Sequence, residues 1–201
     1  MPSAPKTSSS RRVLTELRRQ EILAAAIKVF GKKGFADARA EDVAAAAKIA
    51  KGTLYLYFKS KEDIYTTAVR HTVDQLRTLV EERVAAVHGV RDKLATVITL
   101  RMEFWSGQQN LYRLLLTIGR EPKHRRQTNE ALRFGHDSFL AIFQEGVATG
   151  ELRAQDFDAL CWAILDMTRG CNERRLDGVS DRTPQEDAEF ILEAALRSLG
   201  I

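Results

Sequence analysis

The chain has little of what builds a disulfide scaffold, a membrane span or a catalytic centre. Only 2 of its 201 residues are cysteine. Cys161 and Cys171 stand in one helical-reading segment, which separates them by roughly 15 Å at about 1.5 Å per residue, beyond the reach of a disulfide. They read as free thiols of a reducing compartment, with a redox pair acting between subunits as the other reading. No stretch approaches the roughly 20 consecutive apolar residues that a bilayer crossing needs. The opening residues are Ser, Pro and basic without an apolar core, so they read as a flexible arm and not as a signal peptide, and the chain is expected to be cytoplasmic. His71, His88, His124 and His136 are scattered without metal-ligand spacing, and no Gly-rich phosphate loop, GxSxG or HExxH occurs. Neither enzyme chemistry nor a metal or cofactor is expected.

What is present is basic charge in the wrong proportion for an even surface. Residues 1–61 carry 13 Lys plus Arg against 5 Asp plus Glu, whereas residues 62–201 carry 18 against 22. A basic head on an acidic body is the footprint of a nucleic-acid binder, and a solvated face arising by chance is the alternative. An architectural DNA binder would instead spread its basic residues over the body.

Helical period dominates every long segment and no stretch alternates as a half-buried strand would, so the fold class is all-α, with about nine helices. Residues 1–13 read as the arm, 14–60 as a three-helix head and 61–201 as the body. The stripe Ile22, Leu23, Ala26, Ile27, Phe30 marks a first helix from Leu14 to Lys32, capped by Gly34. Two short helices follow, at about 40–47 and 50–57. Ser60 and Asp63 resemble a capping box and open a long helix that Gly89 closes. Further helices are expected at about 90–106, 108–119, 124–148, 156–177 and 184–199.

Two short helices joined by a tight turn in a basic region are a helix-turn-helix, whose second helix enters the major groove. Val43, Ala47, Ile49 and Leu54 would form its small core. Lys51, Thr53, Tyr55, Tyr57 and Lys61 are groups that touch phosphates or base edges, and Gly52 lets the helix approach the DNA backbone; packing of the two tyrosines on neighbouring helices is the other reading. The run Gly34-Phe35, Glu41-Asp42-Val43-Ala44 and Lys51-Gly52-Thr53-Leu54-Tyr55-Leu56-Tyr57-Phe58-Lys59-Ser60-Lys61-Glu62-Asp63-Ile64 resembles the DNA-binding signature of the TetR family. That resemblance implies a homodimeric transcriptional repressor. It also implies that Lys51, Gly52, Thr53, Tyr55 and Tyr57 lie at the DNA face and that Lys61 contacts phosphate.

The chain departs from the family pattern at Lys48, at Ala50 and at the Arg39-Ala40 pair. Lys48 replaces a turn glycine, so a non-glycine residue has to adopt a left-handed conformation at roughly 1 kcal/mol. Ala50 removes a polar cap worth about 1 kcal/mol. Arg39 and Ala40 replace a Ser/Thr that touches phosphate, a contact Arg39 could supply through charge. Lys6, Arg11, Arg12, Arg18 and Arg19 of the arm and first helix are further basic groups able to track phosphates or to stay solvated.

The resemblance further implies that the body encloses a small-molecule effector and dimerises through its last two helices. Residues 157–168 are apolar nearly all round, as a helix packed both inward and against a partner would be; Phe190, Ile191, Ala194, Ala195 and Leu199 offer the second half of a bundle. Three polar residues fall on apolar stripes: Arg101, His136 and Asp166. One reading is an internal salt bridge such as Arg101 with Asp166. The other makes them the polar anchors of an apolar pocket that also uses Trp105, Tyr112, Phe139 and Trp162. The expected function is repression of a palindromic double-stranded operator, relieved by a small hydrophobic or amphipathic ligand that is not identified by the sequence.

Overall fold

The computed structural model describes residues 6–118, 121–122 and 124–201, and within them all side chains but those of 6–11, 127 and 131. Nine helices and no strand occur among the described residues: α1 (Lys6–Lys33), α2 (Ala40–Ala46), α3 (Lys51–Tyr57), α4 (Lys61–Val84), α5 (Val90–Gly107), α6 (Gln109–Ile118), α7 (Arg125–Thr149), α8 (Asp158–Leu176) and α9 (Pro184–Leu199). The segment expected as a flexible arm departs from that expectation, because α1 begins at Lys6. The helix-favouring Arg, Leu and Glu residues that follow carry the helical backbone past the point where the apolar stripe begins. Residues 1–5 and the side chains of Lys6 and Arg11 lie outside the described residues.

Termini follow from local chemistry. Gly34 ends α1 at φ 80°, its N–H bonded to the Phe30 carbonyl at 2.9 Å. Lys48 in the α2–α3 turn has φ 56°, the left-handed conformation its replacement of glycine requires. The Asp63 N–H donates to Ser60 Oγ at 3.1 Å, while the Asp63 carboxylate reaches back to the Lys59 N–H at 2.9 Å. At its far end α4 stops at Val84, short of Gly89. There the bonding tightens to three-residue steps, Ala86 to Arg83 and Val87 to Val84, and Gly89 at φ 78° instead becomes the N-cap of α5. Helix α9 starts on a full capping box. Thr183 Oγ1 accepts from the Glu186 N–H at 3.2 Å, and the Glu186 carboxylate accepts from the Thr183 N–H at 2.7 Å. Bonds donated by the Thr183 N–H and, at 3.0 Å, by its hydroxyl hold the Glu186 carboxyl below the usual carboxylate range.

In the body α5 is the central element, packed on α4, α6, α7, α8 and α9. Leu94, Val97, Ile98 and Met102 are its buried stripe. The head packs α1 on α2 and α2 on α3, and it meets the body through contacts of α1 with α4 and α6. No helix of the described residues is long and apolar enough to cross a membrane.

Both cysteines are buried in α8. Burial pushes the Cys161 thiol up to about 11 and moves Cys171 in the same direction. A thiol kept neutral by the fold adds stability that is fully present below its unfolded pKa of about 8.5 and is lost as pH rises toward the folded value. Native protein at pH 8 is therefore expected to resist iodoacetamide at both sites while the denatured chain takes up two labels. Mass spectrometry reads the difference, and rapid native labelling of Cys161 would contradict its burial.

Candidate functional site

The α2–α3 unit is held by a compact apolar core. Val43 and Leu54 are buried, with Ala47 and Ile49 packed against them. This leaves one face of α3 outward. Lys51, Gly52, Tyr55 and Leu56 are exposed, Thr53 and Tyr57 are half-buried, and Leu56 is 83% exposed. An outward leucine of that size is a candidate site residue that the sequence reading missed. Its signal lay in the Tyr55-Leu56-Tyr57 run, where Leu54 already fills the inward position. A Cβ at Gly52 would meet nothing within 4 Å, so nothing in the chain itself limits close approach there. Ala50 caps α3 with no side-chain hydrogen bond.

Charges around this face differ in how firmly they are committed. Lys51 Nζ donates to Glu41 at 2.6 Å, a bridge whose side chains are 52% and 57% exposed. Exposed pairs of this kind are weak and screened by salt, so Lys51 can exchange its partner for another anion at little cost. Arg39 precedes α2 with its side chain exposed, and its N–H donates to Asp42 Oδ2 at 3.0 Å. Guanidinium has no acceptor, so only this half of a capping box exists. Asp42 also accepts from Lys33 Nζ at 2.5 Å, fastening α2 to the end of α1. In the first helix Arg18 pairs with Glu21 at 2.7 Å, and Arg19 lies 4.8 Å from the centre of the Phe58 ring.

Lys61, expected as a phosphate contact, has its ammonium engaged within the chain. Its ammonium donates to the carbonyls of Phe35, Ala36 and Ala38 at 2.6, 3.0 and 3.2 Å and sits 4.7 Å from the centre of the Phe35 ring. An ammonium has three donors, and all three are used to close the loop after α1. The Phe35 ring is also a joint between head and body. It packs edge-on against Tyr65 at 5.7 Å and against His124 of the α6–α7 connection at 6.0 Å, with Tyr65 and His124 4.8 Å apart.

The body contains a cavity of about 400 Å³ enclosed by α4, α5, α6, α7 and α8. Its apolar wall comes from Leu76, Trp105, Leu115, Leu132 and Leu165; its polar groups include Arg101, Tyr112, Thr168 and Asn172, with Arg125 and Arg169 also facing it. Among the described lining residues there is no carboxylate. Arg101, Trp105 and Tyr112, three of the seven residues expected at a pocket, are thus brought together. Arg125, Thr168, Arg169 and Asn172 were not expected. Leu165, Thr168 and Asn172 recur at three- and four-residue steps on α8, a spacing that would have found them.

The other four expected residues serve elsewhere. Phe139 is fully buried in the core. His136 bonds Asp158 at 2.9 Å and Asp137 at 3.2 Å and stacks on Trp162 at 4.8 Å, which makes it a link between α7 and α8. Trp162 is itself partly exposed. Asp166 forms no bridge with Arg101. Its side chain is 63% exposed and pairs with Arg169 at 2.9 Å, because Trp162 and Asp166 lie on the exposed stripe of α8.

Arg101 is therefore buried without the partner expected for it. It is 8% exposed, its Nε has no hydrogen-bond partner, and burial pushes its pKa down to about 10. The guanidinium packs against Gly135 of α7, where a larger residue would make it shift. A Cβ there would lie 2.9 Å from Arg101 Nη1 and 2.6 Å from Leu165 Cδ2. Glycine inside a helix costs roughly 0.5–1 kcal/mol relative to alanine, so α7 gives up helix stability at the point of that contact.

Residues 22–68 match the family described as bacterial regulatory proteins, tetR family. The fatty acid metabolism regulator protein of Bacillus subtilis is 30% identical over 135 residues, covering 66% of this chain and 70% of that protein. The fold matches the crystal structure of the transcriptional regulator FadR from Bacillus subtilis in complex with stearoyl-CoA, with TM-score 0.80 and 24% identity over 88% of this chain and 96% of that one. It also matches the fatty acid degradation regulator FadR of Bacillus halodurans, with TM-score 0.82 and 19% identity over 90% and 96% of the two chains.

Proposed function

Since the chain belongs to the TetR family of bacterial regulatory proteins and is a DNA-binding transcriptional regulator and not an enzyme, we propose that it is a cytoplasmic repressor released from its operator by an acyl-type amphiphile. The carrying observation is the exposed face of α3 in a basic head. Residues 14–60 act as the reading head and 61–201 as the sensing and dimerising body. Arg39 and Lys51 neutralise phosphates, Thr53, Tyr55 and Tyr57 make polar contacts along the groove, and Gly52 permits the close approach. Leu56 adds apolar contact of the kind a thymine methyl accepts.

A homodimer through α8 and α9 sets two such helices about one DNA turn apart. The exposed Trp162 and Phe190 on those helices support this pairing, since large apolar groups gain most from a partner's cover. Effector choice is supported by the apolar wall of the cavity and by the stearoyl-CoA bound to the B. subtilis relative. Release requires only that the effector prefer the conformation in which the two heads no longer match successive grooves. The α1–α6 contact and the Phe35, Tyr65, His124 cluster are the mechanical link from cavity to head.

The test is capture of genomic fragments by the purified protein at physiological salt, followed by footprinting. A discrete protected palindrome is expected. Uniform weak retention that vanishes with salt would instead leave a phosphate-binding head without a specific operator.

A further inference from the structure

We propose, resting on the reading of the body cavity as the effector site, that it takes an organic acid with its carboxylate turned inward onto Arg101 and its apolar chain toward the mouth. A guanidinium that is 8% exposed, with a buried Nε bonded to nothing, is an unpaired charge inside the body. Buried charge is tolerated where something pairs with it. Among the described residues no ion pair includes Arg101 and no carboxylate lines the cavity. The ligand's carboxylate supplies the anion that the chain does not. The gap at Gly135 seats the planar fork against the α7 backbone, and such a fork matches a carboxylate's two oxygens.

Orientation follows from where charge sits in each candidate. An acyl-CoA presents a neutral chain and a neutral thioester to the interior and keeps its charges at the far end, so it leaves Arg101 unpaired. A free acid places its charge at the end that fits. Leu76, Leu115 and Leu132 then cover the chain, and Arg125, exposed at the start of α7, stands at the rim.

Isothermal titration of the full chain with decanoate, decan-1-ol and decanoyl-CoA tests this, using the wild type, Arg101→Met and Arg101→Lys. Wild type is expected to prefer decanoate over decanol by roughly ten- to a hundredfold, the range of a charge-assisted bond. R101M is expected to lose that preference while holding decanol at least as well, and to melt no lower than wild type without ligand. R101K keeps the charge without the fork and retains a reduced preference. Should R101M fail to fold, R101K decides: a reduced preference supports the assignment and an unchanged one overturns it. Decanoyl-CoA bound with decanoate rejected would overturn the inward carboxylate and leave the acyl effector standing. Rejection of all three ligands would overturn both.

Discussion

Asp187→Ala is expected to lower the thermal midpoint by on the order of 10 °C and to weaken self-association with it. Asp187 is 4% exposed in the first turn of α9 and holds two guanidinium groups. Arg182 Nε bonds its Oδ1 at 2.8 Å, and Arg175 of α8 bonds its Oδ2. Arg175 in turn reaches Asn172 at 3.0 Å and the Arg182 carbonyl at 2.9 Å, so one carboxylate ties together α8, α9 and the connection between them. Its removal leaves Arg175 with a side chain 15% exposed and no counter-charge. Breaking a buried pair from one side costs about 3–5 kcal/mol, and each kcal/mol moves the midpoint of a chain this size by about 2–4 °C. Differential scanning fluorimetry and sedimentation velocity read the two effects. Asp187→Asn, which still accepts hydrogen bonds, should fall between. A midpoint unchanged in D187A would mean that the α8–α9 fastening lies elsewhere.

Lys61→Met is expected to weaken operator binding without changing how steeply that binding depends on salt. Three carbonyls of the loop after α1 lose their donor, and bonds to a charged group are worth about 1.5–3 kcal/mol. The loop carries Phe35, so the head loses its fixed position on the body. No phosphate contact disappears, and the slope of log affinity against log salt therefore stays constant. Loss of a true phosphate contact reduces that slope by about 1, which is the result expected for Lys51→Ala. Anisotropy titrations over a salt series separate the two lysines. A shallower slope in K61M would return Lys61 to the DNA face.

The head was legible in the sequence because its chemistry is local. Lys48 takes a positive φ because the turn demands it whichever residue is present, and Val43 and Leu54 fill the angle between two helices too short to pack any other way. The body was less legible, because periodicity assigns a residue to a stripe without saying what the stripe faces. Residues 157–168 look apolar all round, yet the outward stripe of α8 runs through Trp162 and Asp166 while the inward one runs through Leu165 and Thr168. His136 sits on the same apolar stripe as Phe139, but one is drawn to Asp158 across the helix pair and the other into the core. Arg101 was singled out correctly as an anomaly. Its supposed partner was wrong because a carboxylate on a neighbouring helix finds solvent and Arg169 more easily than the interior.

Where α1 passes over α6, a Cβ on Gly31 would fall 2.7 Å from Asn110 Oδ1. The two helices touch there with no space for even a methyl group, and the partners belong to different halves of the molecule. The reading head is therefore not an interchangeable cartridge. A graft that exchanged residues 14–60 for those of a relative with a larger residue at position 31 would have to displace the Asn110 side chain or shift its first helix on α6, whatever operator it recognised. Head and body of this chain are fitted to each other, and residues 31 and 110 mark one place where the fit is made.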